Sequence, residues 1–333
     1  MSLSQFPLTR HRHRLLKNYI SRHNFSSSTH QGRIPIELAN LVAHPTGAER
    51  ADASLIILHG LFGSKRNWTS LHKAFHRALP HRSIHTLDLR NHGMSPRATP
   101  MTYATMAEDV LNYIDSRNLS NVALLGHSMG GKVAMTVALS LVAKRRENIL
   151  SHLLISDIAP TRGALSDDFV KYINAMQETN ALPLGTVRTR TDVDLRLQQY
   201  ESVAISTLAN PLILITLQDL AIRQFLITNL KLPKPSQSQS KPHFNLPLDV
   251  LGDAIPELGS FPYDLADPGR PQWKGKTLVF RGLRSSYITD DNEQAFGRFF
   301  PCLKVEKMDT GHWVHAEKPN EFKDHVINFI TQR

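Results

Sequence analysis

The chain has 333 residues, 39 Lys and Arg against 29 Asp and Glu, a formal charge of +10 and one cysteine. That length allows one large or two ordinary domains, and 41% apolar with 20% charged residues excludes a disordered chain. The single Cys302 excludes internal disulfides and thiolate zinc clusters.

The first element is basic. Residues 1–36 hold Arg10, Arg12, Arg14, Lys17, Arg22 and Arg33 with no carboxylate, which leaves 33 basic against 29 acidic groups, +4, on the rest. Leu8, Leu15, Leu16, Tyr19 and Ile20 lie among these basic residues, and Ser26-Ser27-Ser28-Thr29 follows. An arginine-rich, serine-bearing, acid-free start is the pattern of a mitochondrial transit peptide, here over residues 1–30 and cut between Ser26 and Gln31. The expected destination is the mitochondrial matrix. The other reading is a nucleic-acid-binding arm, but no aromatic interleaving or nucleic-acid motif supports it, so no nucleic acid is expected as a partner. The longest apolar run, Val203 to Leu217, is too short to span a bilayer and is broken by Asn210-Pro211, so no stable membrane insertion is expected.

From residue 36 to 333, short apolar runs alternate with helix-period segments in the rhythm of a parallel sheet. Strands are expected at Ser54–Leu58, Ser83–Leu87, Val122–Leu125, His152–Ser156, Thr277–Arg281 and Lys304–Met308. Helices are expected at Asn67–Leu79, Tyr103–Arg117, Met129–Lys144, Asn292–Phe299 and Asn320–Ile330. The rhythm breaks over about 161–272. There Phe169, Tyr172, Ile173 and Met176, and again Leu251, Ala254, Ile255 and Leu258, repeat at helical spacing. Pro233 to His243 is a low-complexity loop. The expected fold class is α/β, a mostly parallel twisted sheet flanked by helices, with a helical cap between the sixth and seventh strands.

Gly126-His127-Ser128-Met129-Gly130 stands between a strand and a helix, the context in which G-x-S-x-G forms a nucleophile elbow. Ser128 is the candidate nucleophile and needs a histidine to take its proton. His312, in the loop after the last strand, is that candidate, with His315 in reserve. An oxyanion hole needs two backbone donors. Met129 is expected to supply one, and Leu61, in the His59-Gly60-Leu61-Phe62-Gly63 loop after the strand Ser54–Leu58, the other. The carboxylate that orients His312 has two possible sources. Asp157 follows the strand ending at Ser156, where an unpaired carboxylate would be costly to bury. Asp290, beside Asp291, comes after the next strand but reads better as a helix cap. Asp157 is therefore favoured. Asp88 reads as structural, pairing with Arg90 or with its own turn.

HGLFGSKRNW (59–68), LDLRNHGMS (87–95), GHSMGGKVAM (126–135), SDIAP (156–160), RQFLITNL (223–230) and GHWVHAEKP (311–319) together resemble the α/β-hydrolase family. Within it they resemble the branch of α/β-hydrolase domain-containing protein 11, related bacterial esterases and fungal ethanol acetyltransferases. The resemblance implies an α/β-hydrolase fold with Ser128, Asp157 and His312 at the triad positions. It also implies hydrolysis of a small acyl ester or thioester and, in some relatives, acyl transfer to alcohols. No metal or organic cofactor is needed for that chemistry. A mitochondrial setting and association with the 2-oxoglutarate dehydrogenase complex are implied as well. The chain departs from the branch at Ile205 to Thr216, which has no recognised counterpart, and at Phe244, where a tryptophan is common.

Overall fold

Strand β1 (Asn40–Ala43) precedes β2 (Ser54–Leu58), β3 (Ser83–Leu87), β4 (Val122–His127) and β5 (Leu150–Ser156). Two short strands, β6 (Leu230–Lys231) and β7 (His243–Phe244), pair with each other, and β8 (Lys276–Gly282) and β9 (Leu303–Met308) close the series. The computed structural model describes residues 35–46, 53–163, 165–200, 220–233 and 241–332. Pro35–Arg333 makes one compact unit. The expected transit segment, the 205–216 departure and most of the low-complexity loop lie outside the described residues.

The main sheet has the order β1-β3-β2-β4-β5-β8-β9. Its pairs are parallel except the antiparallel β1–β3 edge. β1 was not anticipated from the sequence: its four residues are all half-buried and gain their identity only by pairing with β3. Side chains along the central strands alternate between two cores, the period of two that a pleated sheet imposes. Leu55, Ile57, Leu125, Leu154 and Phe280 face helices α1 (Thr69–Ala78) and, near the C terminus, residues 319–331. Ile56, Leu58, Leu124, Leu153 and Val279 face the opposite layer, with Val110 of α2 (Tyr103–Ser116) and Val133 of α3 (Met129–Ala143). Each such buried side chain contributes roughly 1.5–3 kcal/mol.

Between β5 and β8 lies the expected helical region. α4 (Asp167–Ala181) and α6 (Leu248–Leu258) arise from the two helical repeats in the sequence, with α5 (Arg190–Gln198) and helical residues 220–227 between them. Among the described residues β5 and β8 are the fifth and sixth strands of the main sheet, so the expected ordinal shifts by one while the placement stands. Phe244 is buried in the β6–β7 pair and held by Asn180, which accepts from its N–H at 2.7 Å. The chain ends with α7 (Asp290–Phe299), the short α8 (Val314–Glu317) and α9 (Pro319–Thr331).

Asp88 is buried and structural and bonds its own turn through Met94, but its charged partner is Lys65 and not Arg90. It accepts from the Lys65 ammonium, from Lys65 N–H at 2.7 Å and from Met94 N–H at 2.9 Å. Arg90 turns instead to Asp109, making two buried bonds of 2.6 and 2.8 Å. Asp109 also accepts from Ile36 N–H at 2.9 Å, which pins the start of the described chain to α2.

Candidate active site

The parallel strands end on one edge, and the loops leaving β2, β4, β5, β8 and β9 meet there. Chain order reverses between β2 and β4, the switch point at which open α/β sheets place their crevice. Ser128 stands at that point, directly after β4, with φ 53° and ψ −121°. A non-glycine residue in this region is strained and must be held by its surroundings. Its N–H donates to Ser156 O at 2.9 Å, and its carbonyl accepts from Gly131 and Lys132 as α3 begins. The flanking glycines are steric requirements. A Cβ at Gly130 would lie 2.6 Å from His59 O and 2.7 Å from Leu58 O, and one at Gly126 would collide with the backbone of Gly130.

Asp157 also has positive φ, 52°, and is fully buried. Its N–H donates to Phe280 O of β8 at 2.9 Å, which turns the side chain out of β5 across the end of β8. One carboxylate oxygen accepts from Gly282 N–H at 3.0 Å; the other accepts from the Ser285 hydroxyl and from His312 Nδ1 at 2.8 Å. β8 is the only strand between β5 and β9, a separation two side chains can bridge. Asp290 is not brought to the site. It opens the first turn of α7, is largely exposed and bonds Arg281 at 2.6 Å, which holds its carboxyl below the usual range. The expectation that it caps the helix is corrected too: Thr289 is the N-cap.

His312 lies between two rings. Tyr287 stacks on it at 4.0 Å and 26°, and His127 packs at 4.7 Å. Burial, with Asp157 and Asp168 nearby, pushes the Tyr287 hydroxyl up to about 12. His127 Nε2–H donates to the His312 carbonyl at 2.9 Å, so the residue before the candidate nucleophile also holds the histidine loop. The reserve histidine also lines the cavity but bonds no carboxylate. His315 is buried, stacks on Trp68 at 4.1 Å and 8°, and leaves Nδ1 without a partner. Burial beside His312 lowers its pKa to about 3. Burial first, then His315 and His312, keeps His127 neutral as well.

The Gly60–Gly63 turn is closed by Gly63 N–H to Gly60 O at 3.0 Å. His59 and His92 brace it, each with one donating and one accepting nitrogen. His59 donates to Gly60 O at 2.8 Å and accepts from Leu89 N–H at 3.0 Å. His92 donates to Arg90 O at 2.9 Å and accepts from Phe62 N–H at 3.1 Å. Burial lowers His92 to about 3, so it remains a neutral acceptor. Leu61 lines the same cavity as Ser128; Met129 is the first residue of α3, where a helix has no internal acceptor for its N–H. Among the described residues no group of His, Cys, Asp and Glu is arranged to hold a metal ion.

A cavity of about 240 Å³ reaches Ser128, Gly60, Leu61, His127 and His312, walled by Phe62, Phe169, Ile222 and Leu226. A second, of about 550 Å³, shares His312, Trp313, Phe225, Asn67 and His315 but not Ser128, and opens past Gly311 and Ala316. Sequence reasoning did not find Ser285, Gly282, His127 or His92. The quoted motifs contain both histidines, but their partners lie on other loops and leave no local signal.

A strained serine at a strand-to-helix turn, a histidine on the last strand's loop and an acid on a neighbouring strand define a protein class. The profile described as alpha/beta hydrolase fold matches residues 53–319, and the chain belongs to that family. Within it, the chain is 35% identical over 280 residues to the Xenopus laevis sn-1-specific diacylglycerol lipase ABHD11, covering 83% of this chain and 79% of that protein. It is 32% identical over 324 residues to a probable alcohol acetyltransferase of Saccharomyces cerevisiae, covering 93% and 88%. A marine microorganism esterase matches with a TM-score of 0.71 and 27% identity over 88% of this chain and 99% of that one.

Proposed function

We propose that the chain is a serine carboxylic ester hydrolase acting through an acyl-enzyme on Ser128. The observation that carries this is His312 Nδ1 bonded at 2.8 Å to a buried Asp157, on a loop that lines one cavity with the strained Ser128. Asp157 keeps the proton on Nδ1, so Nε2 is free to take the Ser128 proton. Ser128 Oγ attacks the ester carbonyl, and the Leu61 and Met129 amides stabilise the oxyanion. His312 returns the proton to the leaving alcohol, then takes one from a water whose oxygen attacks the acyl carbon, and passes it to Ser128 Oγ as the acyl bond breaks and the acid leaves. A cavity of about 240 Å³ has the space of roughly eight liquid waters, which fits short to medium acyl chains of esters or thioesters. The test is fluorophosphonate labelling of wild type and Ser128→Ala, with an ester and thioester chain-length series. Absence of label on Ser128 in folded protein would end this reading.

A second reading is favoured by the larger cavity on the His312 side and by the acetyltransferase relatives: the same acyl-enzyme passing its acyl group to an alcohol. Incubation with ethyl acetate, and separately with acetyl-CoA plus ethanol, divides them, because hydrolysis without ester synthesis removes the transferase. The acid-free N-terminus supports a mitochondrial address, and no helix among the described residues is long and apolar enough to cross a membrane. Sequencing the N-terminus of protein purified from mitochondria tests the cut between Ser26 and Gln31; an intact Met1 refutes that cut.

A further inference from the structure

We propose that Asn229, a residue of the cap, is a positioning residue for the oxyanion loop, so that seating the cap sets the Leu61 amide. The proposal rests on the serine-hydrolase reading of the site. Phe62, the third residue of the Gly60–Gly63 turn, has φ 60°, a left-handed conformation that a bulky side chain does not hold unaided. Three contacts hold it there. His92 of the core accepts from its N–H at 3.1 Å. Asn229 Nδ2 donates to its carbonyl at 2.7 Å. The Phe62 ring packs 6.1 Å from Phe169 of α4. Two of the three therefore come from the cap.

Asn229 is itself firmly placed. Its N–H donates to Leu226 O at 3.0 Å at the end of helical residues 220–227, and its carbonyl accepts from Asn245 N–H at 3.0 Å. Leu230 follows at once and pairs with Phe244. The side-chain amide is thus aimed from a fixed backbone at the one carbonyl whose release lets Phe62 relax towards negative φ. That rotation would shift the Leu61–Phe62 peptide and, through the Leu61 backbone, the Leu61 N–H on the preceding Gly60–Leu61 peptide, the oxyanion donor. Because an oxyanion exists only during acyl transfer, the loss falls on kcat rather than on KM.

The test uses full-length Asn229→Ala and Asn229→Asp with p-nitrophenyl butyrate, and a trifluoromethyl ketone whose adduct on Ser128 is an oxyanion. Rates are expressed per site titrated with fluorophosphonate, so unfolded protein does not count. The expected result is a ~10- to 30-fold lower kcat for N229A with KM within about twofold, less than deleting a donor because the amide is displaced rather than removed. Ketone affinity falls by the same factor. N229D loses at least as much, since it sets an acceptor oxygen against the Phe62 carbonyl. Wild-type kcat per site in both variants, or a raised KM with kcat unchanged, overturns the proposal. With Ser128→Ala inactive, that result leaves the hydrolase reading intact; undiminished hydrolysis by S128A overturns both.

Discussion

Replacing Asp157 by asparagine changes one atom but reverses a proton. In the native site one oxygen faces Gly282 N–H at 3.0 Å, and the other faces His312 Nδ1 and the Ser285 hydroxyl. The Gly282 amide can only donate, so the oxygen of the introduced carboxamide must turn towards it and the NH₂ towards His312. Nδ1 then has to accept, the proton moves to Nε2, and the imidazole can no longer deprotonate Ser128. Tautomer reversal of this kind in a serine triad lowers kcat about 10⁴-fold, or ~5 kcal/mol of transition-state stabilisation. Asp290→Asn breaks only an exposed pair with Arg281 and is expected to leave kcat within about twofold. Steady-state hydrolysis of p-nitrophenyl butyrate by D157N, D290N and wild type measures both. D157N retaining more than about a tenth of wild-type kcat, or D290N losing as much as D157N, refutes the assignment of Asp157 as the acid.

Gly130→Ala places a methyl group against Leu58 O and His59 O, and a misfit of that size costs about 1–3 kcal/mol in urea unfolding, with slower fluorophosphonate labelling. An unchanged unfolding midpoint contradicts the elbow packing. Lys132, lowered to about 8 by burial, donates to Thr161 O at 2.9 Å and Ser260 O at 2.8 Å and ties α3 to the end of α6. Lys132→Met strips those carbonyls of a donor and should cost about 1–3 kcal/mol in the same assay. His152 is buried with both ring nitrogens unpartnered, and burial, with Arg82 and Lys276 nearby, pushes it down to about 4. The unfolded histidine titrates near ~6.5, so between those values the unfolded chain binds more protons and stability falls as pH drops. His152→Leu should therefore raise the thermal midpoint more at pH ~5 than at pH ~8; an equal change at both pH values disproves it.

The sequence alone determined what is local. The strand–turn–helix around Ser128, the strand leading to His312 and the glycines at 126 and 130 were legible because strand period, turn strain and helix start lie within ten residues of one another. The cap helices were legible for the same reason, from apolar spacing in α4 and α6. Position in the sheet was not. β1 becomes a strand only through β3, and Asp88 finds Lys65 rather than Arg90 because the loop after β2 folds over β3. The contact between Asp157 and His312, 155 residues apart, depends on β8 lying between β5 and β9. Tertiary structure made that contact because strand order, which no local pattern encodes, sets which carboxylate comes within a hydrogen bond of the imidazole. It likewise brought Ser285, His127, His92 and Asn229 to the site, since each acts through a partner at least 30 residues away.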